Sequence, residues 1–170
     1  ASLAIASFVG DNREFVLQEL TVSGARTNRA ASPQDSFLLQ FNGDDNAANY
    51  SSVASSSNGE TRAEAEFKGT VAGIYIYRST AAVNSDANCF GEANIKIYQP
   101  QHASQWKAVT YEAGVMGITT LEGFMTHGQG VWKSNTPITS MTIIPANGTT
   151  FEVGGANEPV RLLMTLSGCY

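Results

Sequence analysis

The lack of helical periodicity is the feature that most constrains the fold of this chain. No window holds apolar residues at positions i, i+3, i+4 and i+7 over three turns without an intruding glycine or β-branched cluster. The chain instead contains short β-branched and aromatic segments bounded by Gly, Pro, Asn, Asp or Ser, which is typical of strands. We predict strands at residues 13–22, 36–42, 71–77, 93–98, 105–112, 118–124, 138–144 and 160–166.

Several of these segments alternate between apolar and polar residues, which predicts sheets with one buried and one solvated face. Ile95 and Ile97 flank a lysine, and Met141 and Ile143 flank a threonine. The last segment alternates most clearly. Its core face is predicted to consist of Val160, Leu162, Met164 and Leu166.

Asn-Gly pairs mark the turns, because Asn and Gly adopt the positive φ angles that tight turns require. Such pairs occur at residues 42–43, 58–59 and 147–148. The pair at 147–148 lies between two predicted strands and gives the strongest hairpin signal. Residues 51–60, which include a run of three serines, are predicted to form an exposed loop or a crossover between sheets.

Length and element content together predict one all-β domain. The chain has 170 residues, which suits a single hydrophobic core. About eight strands without helices in a chain of this size leave a β-sandwich, a jelly roll or a barrel as candidates. Periodicity alone does not choose among them.

The charge of the chain excludes some partners and favours others. A net charge of -5 and a pI near 4.9 argue against nucleic acid, which requires a basic surface. No stretch approaches the roughly 20 apolar residues of a membrane-spanning helix, so no membrane partner is predicted. Only 15% of residues are charged, below the roughly 25% of a typical soluble protein. Such a surface is easily desolvated and suits contact with neighbours, although an ordinary β protein with polar turns explains it equally well.

The N-terminus and the cysteines bear on where the protein is made. Residues 1–9 lack the basic start and long apolar core of a secretory signal, so none is predicted. Cys89 and Cys169 form no C-x-x-C motif, which argues against a zinc ribbon or a thioredoxin-like site. They could close one long-range disulfide, but two buried, reduced thiols are the favoured interpretation for a protein made in a cytoplasm.

Candidate catalytic residues are few. The chain has no G-x-S-x-G motif, and only His102 and His127 could act as a general base. The first lies in a predicted loop and the second in a predicted turn, where a histidine is more often solvated than catalytic. Glu64 and Glu66 would share one face of an extended segment, whereas glycosidases place two carboxylates on opposite sides of a sugar bond. We therefore predict a solvated strand face there and assign no catalytic residue.

Metal, cofactor and sugar sites have little more support. Asp44 and Asp45 lie in a turn whose oxygens could surround calcium, but it lacks EF-hand spacing and a bidentate glutamate. A turn that needs no ion is favoured, and we predict no metal site and no cofactor. Several aromatic residues could form a carbohydrate-stacking platform, although strand aromatics more often pack in the core. They are Tyr75, Tyr77, Tyr98, Trp106 and Trp132.

Two parts of the chain resemble a group of tailed-bacteriophage structural proteins. The first contains Phe-Asn-Gly-Asp at residues 41–44 and Asn-Tyr-Ser at 49–51. The second contains Gly-Val-Trp at 130–132, Thr-Pro-Ile-Thr-Ser-Met at 136–141 and Phe-Glu-Val-Gly-Gly at 151–155. The group carries F-N-G-D and N-Y-S early, and G-x-W, T-x-I-T-S-I and F-x-x-G late. The order is the same over most of the chain, while the intervening loops match poorly.

The resemblance implies a single-domain antiparallel β-sandwich of jelly-roll type over residues 13–170, preceded by an N-terminal arm at residues 1–12. It implies a non-enzymatic virion structural protein made in the host cytoplasm. A capsid decoration or cement protein is the leading expectation. Its partners would be the major capsid protein, other virion proteins or further copies of the chain, for instance in a trimer. The alternative is a tail-fibre or tail-tip module that binds a host glycan, which exposed loop aromatics around Tyr50, Trp106 or Tyr111 would favour.

The motifs also carry local expectations. Residues 42–44 are expected to end a strand in a turn, Trp132 to anchor the core, and residues 136–141 to form an inward-facing strand. Members of the group end soon after F-x-x-G, whereas this chain continues through Asn157, Glu158 and Pro159 to Tyr170. We therefore expect its terminal edge to be used differently, for instance in assembly.

Overall fold

The computed structural model describes residues 3–6, 17–82, 89–116, 123–152 and 163–169, which are built from β-strands and one short 3₁₀ turn at Ala47–Asn49. The predicted all-β class is confirmed. The strands are β1 (Leu3–Ala6), β2 (Leu17–Thr27), β3 (Gln34–Phe41), β4 (Tyr50–Ser57), β5 (Arg62–Lys68), β6 (Ile74–Ala82), β7 (Gly91–Tyr98), β8 (Lys107–Met116), β9 (Gly123–Trp132), β10 (Ser140–Pro145) and β11 (Leu163–Cys169). Within this described part, no helix is long and apolar enough to cross a membrane.

The strands form two layers that join into one curled sheet. Sheet A has the order β1-β10-β3-β6, and sheet B has the order β11-β2-β7-β8-β9-β4-β5. The layers join where Arg26 and Thr27 of β2 pair in parallel with Ala81 and Ala82 of β6. All the other described strand pairings are antiparallel. The fold is therefore a β-sandwich of jelly-roll type, antiparallel as predicted except for this short contact.

The core lies between the layers and consists mainly of alternate residues of the strands whose side chains are described. Leu20, Ile95 and Ile97 are buried on the inner face of sheet B, and Met141 and Ile143 on that of sheet A. Buried and exposed residues alternate along the whole of β7, as its sequence predicts. The predicted core face at residues 160–166 lies outside the described side chains.

Most predicted strands are present with ends shifted by a few residues, but the N-terminal part differs. Residues 3–6 of the predicted arm form β1, which pairs with β10 at the edge of sheet A. Residues 13–16 of the first predicted strand lie outside the described residues, and β2 continues beyond residue 22 to Thr27. The predicted strand at 136–141 begins only at Ser140, although Ile138 before it is fully buried.

The strand β9 contains several glycines, so its sequence resembles a turn. Residues 118–122 of the predicted strand lie outside the described residues, but β9 continues past residue 124 to Trp132. The prediction that His127 lies in a turn is therefore wrong. Gly128 faces Tyr111 of β8, and a Cβ on Gly128 would lie 2.2 Å from the tyrosine ring. The ring occupies the space above the glycine, so a segment of low strand preference is held in the sheet.

The predicted loop at residues 51–60 is also wrong, because residues up to Ser57 form β4. Ser52 and Ser56 are buried inward-facing residues of this strand. The pair at residues 58–59 makes the turn to β5, with the positive φ of 92° at Gly59 that a hairpin requires. The segment resembles a loop in sequence because serines occupy two of the four inward positions of the strand, beside Tyr50 and Ala54.

The buried serines have partners at the edge of β6. The N–H of Tyr75 donates to Ser52 Oγ at 3.2 Å, and Arg78 Nη1 donates to Ser56 Oγ at 3.4 Å. The Tyr111 hydroxyl donates to the carbonyl of Tyr75 at 3.0 Å and accepts the N–H of Tyr77 at 3.2 Å. Hydroxyl groups of sheet B thus satisfy backbone groups of β6 that have no neighbouring strand there.

Replacement of Tyr111 by Phe is expected to lower the free energy of unfolding by about 1–3 kcal/mol, because the N–H of Tyr77 would lose its acceptor in a part-buried position. Tyr98→Phe is the control, since the Tyr98 hydroxyl is exposed and contacts only Thr110 Oγ1, at 3.3 Å, within the described part. Urea unfolding of both variants measures the difference. Equal stability of the two variants would show that the bonds from the Tyr111 hydroxyl to β6 do not contribute to the free energy of unfolding.

Alkaline pH is expected to destabilise the protein. Burial raises the pKa of Tyr111 to about 12 and also raises that of Tyr50, from an ordinary value of 10. The folded state therefore keeps protons that the unfolded state loses, so this stabilisation is complete below pH 10 and declines as pH rises towards 12. Burial lowers the pKa of Lys107 from its usual 10.5. Its contribution to stability therefore rises with pH, but only at pH values below 10.5. Unfolding measured from pH 9 to 12 should show the decline, and Tyr111→Phe should make it shallower.

The hairpin prediction at residues 147–148 is wrong. The strand before this pair, β10, pairs with β1 and β3, whereas β11 pairs with β2 in the other sheet. Asn147 and Gly148 instead bind the buried carboxylate of Asp35: Asn147 Nδ2 lies 2.7 Å from Oδ1, and the N–H of Gly148 lies 3.0 Å from Oδ2. The pair therefore packs a loop against β3.

Candidate functional site

Three of the four candidate catalytic residues, Glu64, Glu66 and His127, lie together on the outer face of sheet B. A groove of about 660 Å³ runs across β5, β4, β9 and β8 there. Glu64 and Glu66 of β5 line one wall, and His127 and Gln129 of β9 line the floor. The strand register places Glu64 and His127 near each other, because Ser55 of β4 pairs with Glu64 on one side and with His127 on the other.

Glu64 and Glu66 form the solvated strand face that the sequence predicts. Every second residue of β5 is exposed, including both glutamates. Arg62 Nη2 lies 3.1 Å from Glu64 Oε1 in an exposed ion pair. Both carboxylates project from one strand, so they line the same wall and do not face each other across a sugar bond. Their arrangement supports hydrogen bonding to a ligand better than general acid and base catalysis.

In the described part of the chain, the two histidines lack the nucleophile and carboxylate partners that a hydrolase needs. His127 Nδ1 lies 3.6 Å from Glu112 Oε1 on an exposed part of the groove, and the nearby Ser55 hydroxyl accepts a bond from Arg62 Nε at 2.9 Å. His102 lies in the loop between β7 and β8, as predicted, and its Nδ1 contacts the N–H and Oγ of Ser104 at 3.2 Å. Among the described residues, neither histidine joins a nucleophile to an orienting carboxylate, which is the arrangement that such catalysis needs.

Most of the motifs that carry the phage resemblance meet at one end of the sandwich, whereas Phe151 of the last motif pairs with Thr27 at the opposite end. The predicted turn is confirmed, with positive φ at Asn42 and Gly43 and a bond from the N–H of Asp44 to the carbonyl of Phe41. Asn42 Oδ1 then accepts bonds from the N–H groups of Thr139 and Ser140 at 2.7 and 3.1 Å. The early and the late motif are thus joined directly by hydrogen bonds.

Asp44 is the centre of this motif cluster, which comprises residues 41–44, 49–50, 132 and 139–140. Its Oδ2 accepts Trp132 Nε1 at 2.7 Å and Asn49 Nδ2 at 2.9 Å, and its Oδ1 accepts the N–H of Asn46 at 3.0 Å. Burial alone would raise its pKa, but these three donors outweigh burial and hold the pKa below the usual value of 3.8. The same donors hold the turn together, and the absence of an ion there stays a prediction.

The aromatic residues divide between the core and the surface. Trp132 is the predicted core anchor, buried and 5.4 Å from the ring of Phe41. Tyr50 and Tyr111 are buried too, which removes two of the three positions at which a glycan-binding loop was anticipated. Trp106, in the loop before β8, is 58% exposed. The expectation of core packing is therefore wrong for Trp106 and also for Tyr98, which is 39% exposed.

The structure describes the side chain of only one of the two cysteines. Cys89 is buried, as the sequence predicts, just before β7. Cys169 ends β11, and its side chain lies outside the described part of the chain. The predicted burial is thus confirmed for Cys89 and stays a prediction for Cys169.

The outer face of sheet A differs from that of sheet B in charge. The outward residues of sheet B include several glutamates and basic residues, whereas Asp35 and Arg78 are the charged residues in the described strands of sheet A. Both lie at one end of that sheet. The rest of the outer face is neutral, with a row formed by Ile144, Leu38 and Tyr75 across three neighbouring strands, in which the Tyr75 ring also stacks on that of Phe67 of β5.

Comparisons with known proteins do not identify a family. No family model matches the chain, and no curated protein matches it. Among solved structures, a human SPRY domain aligns with a TM-score of 0.15 and 10% sequence identity, over 82% of this chain and 95% of that chain. A likeness of this size carries no argument about function.

Proposed function

We propose that the protein is a non-enzymatic virion structural protein, a capsid decoration or cement protein that docks through the outer face of sheet A. The observation that carries the proposal is the neutral surface of that face. Neutral polar and apolar groups lose less on leaving water than charged groups do, so this face suits burial against a protein. Its partners would be the major capsid protein, other virion proteins or further copies of the chain.

The edge of sheet A supports the same role. The strand β1 pairs with β10 on one side, and no described strand covers its other side. An uncovered strand edge presents backbone N–H and C=O groups to which a neighbouring chain can add a strand. Docking would then combine the neutral row with strand pairing at the edge. The phage origin itself rests on the sequence motifs.

A pair of threonine substitutions tests the docking face. Thr142 of β10 lies on the outer face of sheet A, and Thr110 of β8 lies on that of sheet B; both are half-buried. Thr142→Lys is expected to weaken binding to particles lacking the protein by about tenfold or more, because a lysine would be buried without a partner. Thr110→Lys should bind like the unmodified protein. Co-sedimentation measures both, and equal binding would refute the assignment of this face.

A glycan-binding tail module is the second candidate, supported by the exposed indole of Trp106. A flat aromatic ring at a loop can stack on a sugar, and jelly-roll loops are free to vary. A glycan array distinguishes the candidates. Binding that Trp106→Ala abolishes would favour the tail module, whereas an array without signal, together with saturable binding to capsids, would favour decoration.

A further inference from the structure

A second concavity, of about 240 Å³, lies at one end of the docking face. It forms where β3 and β6 lose register between Asp35 and Phe37, which separates the two strands. Arg29, Arg78 and Tyr75 are among the residues that line it. Tyr75 also belongs to the neutral row, so the concavity is continuous with the proposed docking face.

Arg78 is a half-buried cation without a carboxylate partner. Its guanidinium donates to Ser56 Oγ at 3.4 Å and lies 5.1 Å from the ring centre of Tyr77 and 4.1 Å from that of Phe124. No carboxylate of the described residues lies within ion-pair distance of it. Arg78 adopts a positive φ of 47°, which is uncommon for a residue other than glycine. The two rings and the serine leave its positive charge without a counter-ion among the described residues.

The carboxylate of Asp35 is already occupied. It accepts Thr27 Oγ1 at 2.8 Å, Asn147 Nδ2 at 2.7 Å and the N–H of Gly148 at 3.0 Å, and Arg29 Nη1 lies 3.5 Å from it. It can neutralise Arg29 but not Arg78 as well. The concavity therefore keeps a net positive charge in a protein whose net charge is -5.

Two hydroxyl groups in the concavity accept hydrogen bonds through their oxygens, so their hydrogens remain available to donate. Ser36 Oγ accepts the N–H of Arg78 at 2.9 Å, and the Tyr75 hydroxyl oxygen accepts Asn147 Nδ2 at 3.2 Å. Neither hydroxyl hydrogen has an acceptor among the described residues. Two arginines and two hydroxyl-bearing residues whose hydroxyl hydrogens have no described acceptor thus line the space, and an oxyanion satisfies such donors best.

We propose that this concavity is a socket for a carboxylate of the docking partner, an aspartate or glutamate side chain of a neighbouring virion protein. The inference rests on the proposed docking function and deepens it. A charged contact beside a neutral row fixes the orientation of a partner and rejects partners without the acidic residue. Continuity with the neutral row favours a protein carboxylate over an acidic sugar.

An NMR titration with N-acetyl-L-glutamate as the probe tests the socket. The probe is expected to shift the amide signals of Ser36 and Arg78 saturably, whereas neutral N-acetyl-L-glutamine should not. Arg78→Gln should weaken probe binding about tenfold or more, because it removes the uncompensated guanidinium. Arg62→Gln, on the outer face of sheet B, is the matched control and should bind the probe normally. Arg29→Gln provides a second variant if Arg78→Gln does not fold.

The same variants tested on particles separate this inference from the docking function. Weaker docking of Arg78→Gln, with normal docking of Arg62→Gln, would support the socket. Loss of probe binding with unchanged docking would overturn the socket while leaving the docking function. Failure of the unmodified protein to dock, despite probe binding, would overturn the docking function and the partner assignment together. Absence of saturable probe binding, or about tenfold tighter binding of glucuronate, would also overturn the assignment to a protein carboxylate.

Discussion

The Gly91→Ala variant is expected to lose about 4 kcal/mol or more of folding free energy and to accumulate mostly as unfolded or aggregated protein. A Cβ on Gly91 would lie 2.1 Å from the carbonyl oxygen of Ser79 and 2.6 Å from the Cα of Thr80. Both are backbone atoms, so no side-chain rotation relieves the overlap. The loss is large beside the 5–15 kcal/mol that typically stabilises a domain.

The close approach at Gly91 follows from the topology. Gly91 pairs with Ala25 of β2, immediately after the irregularity between Ser23 and Ala25. The next residues of β2 leave sheet B and pair with β6 of sheet A. The two layers therefore meet at Gly91, and an added methyl group would push apart the strands that join them.

Gly114→Ala is the matched control for this prediction. Gly114 lies in the neighbouring strand, and a Cβ there would approach one atom closely, the carbonyl oxygen of Phe124 at 3.2 Å. A shift of a few tenths of an ångström relieves that contact, so about 1 kcal/mol or less should be lost. Thermal unfolding and soluble yield measure both variants. Melting of Gly91→Ala within a few degrees of Gly114→Ala would show that the layers do not depend on this approach.

The parts of the fold that the sequence predicts are those in which a local pattern matches burial. In β7, β8 and β10, apolar residues alternate with polar ones because one face meets the core and the other meets water. The turns at residues 42–43 and 58–59 are predictable for a similar reason. Their positive φ angles depend on neighbouring residues and not on distant contacts.

The parts that it does not predict depend on residues distant in sequence. Ser52 and Ser56 lie in a strand because their hydroxyls meet the edge of β6, about twenty residues away. Gly128 lies in a strand because a ring of β8 fills the space above it. The failed hairpin at Asn147 has the same origin, since its partner Asp35 lies in β3. No local window contains these partners, so local preference favours a loop.

In the candidate site, too, some features follow from local sequence and others depend on residues distant in sequence. The solvated face of Glu64 and Glu66 is predictable from alternation, but its approach to His127 depends on the order β5-β4-β9 in sheet B. The motif cluster is recognisable in sequence only as separate short elements. Its convergence around Asp44 gives short motifs that lie far apart in the chain one shared structural position.

The Asp44→Ala variant is expected to lose about 2–4 kcal/mol of folding free energy at neutral pH, because three donors would lose a charged acceptor. Two of them are side chains, Trp132 Nε1 and Asn49 Nδ2, and the third is the N–H of Asn46. Asp45→Ala is the matched control, since Asp45 is the adjacent, exposed aspartate. Urea unfolding at pH 7 should therefore separate two variants of identical charge.

The acid dependence of stability tests the same cluster independently. The pKa of Asp44 is lower in the folded protein than its usual 3.8, so the folded state binds fewer protons than the unfolded state as the pH falls. Its stabilisation is therefore complete above the unfolded value and is lost as pH falls through the folded one. Between pH 5 and 2, Asp44→Ala should lose less stability than Asp45→Ala does. Parallel acid profiles would mean that the Asp44 carboxylate does not hold the early and late motifs together.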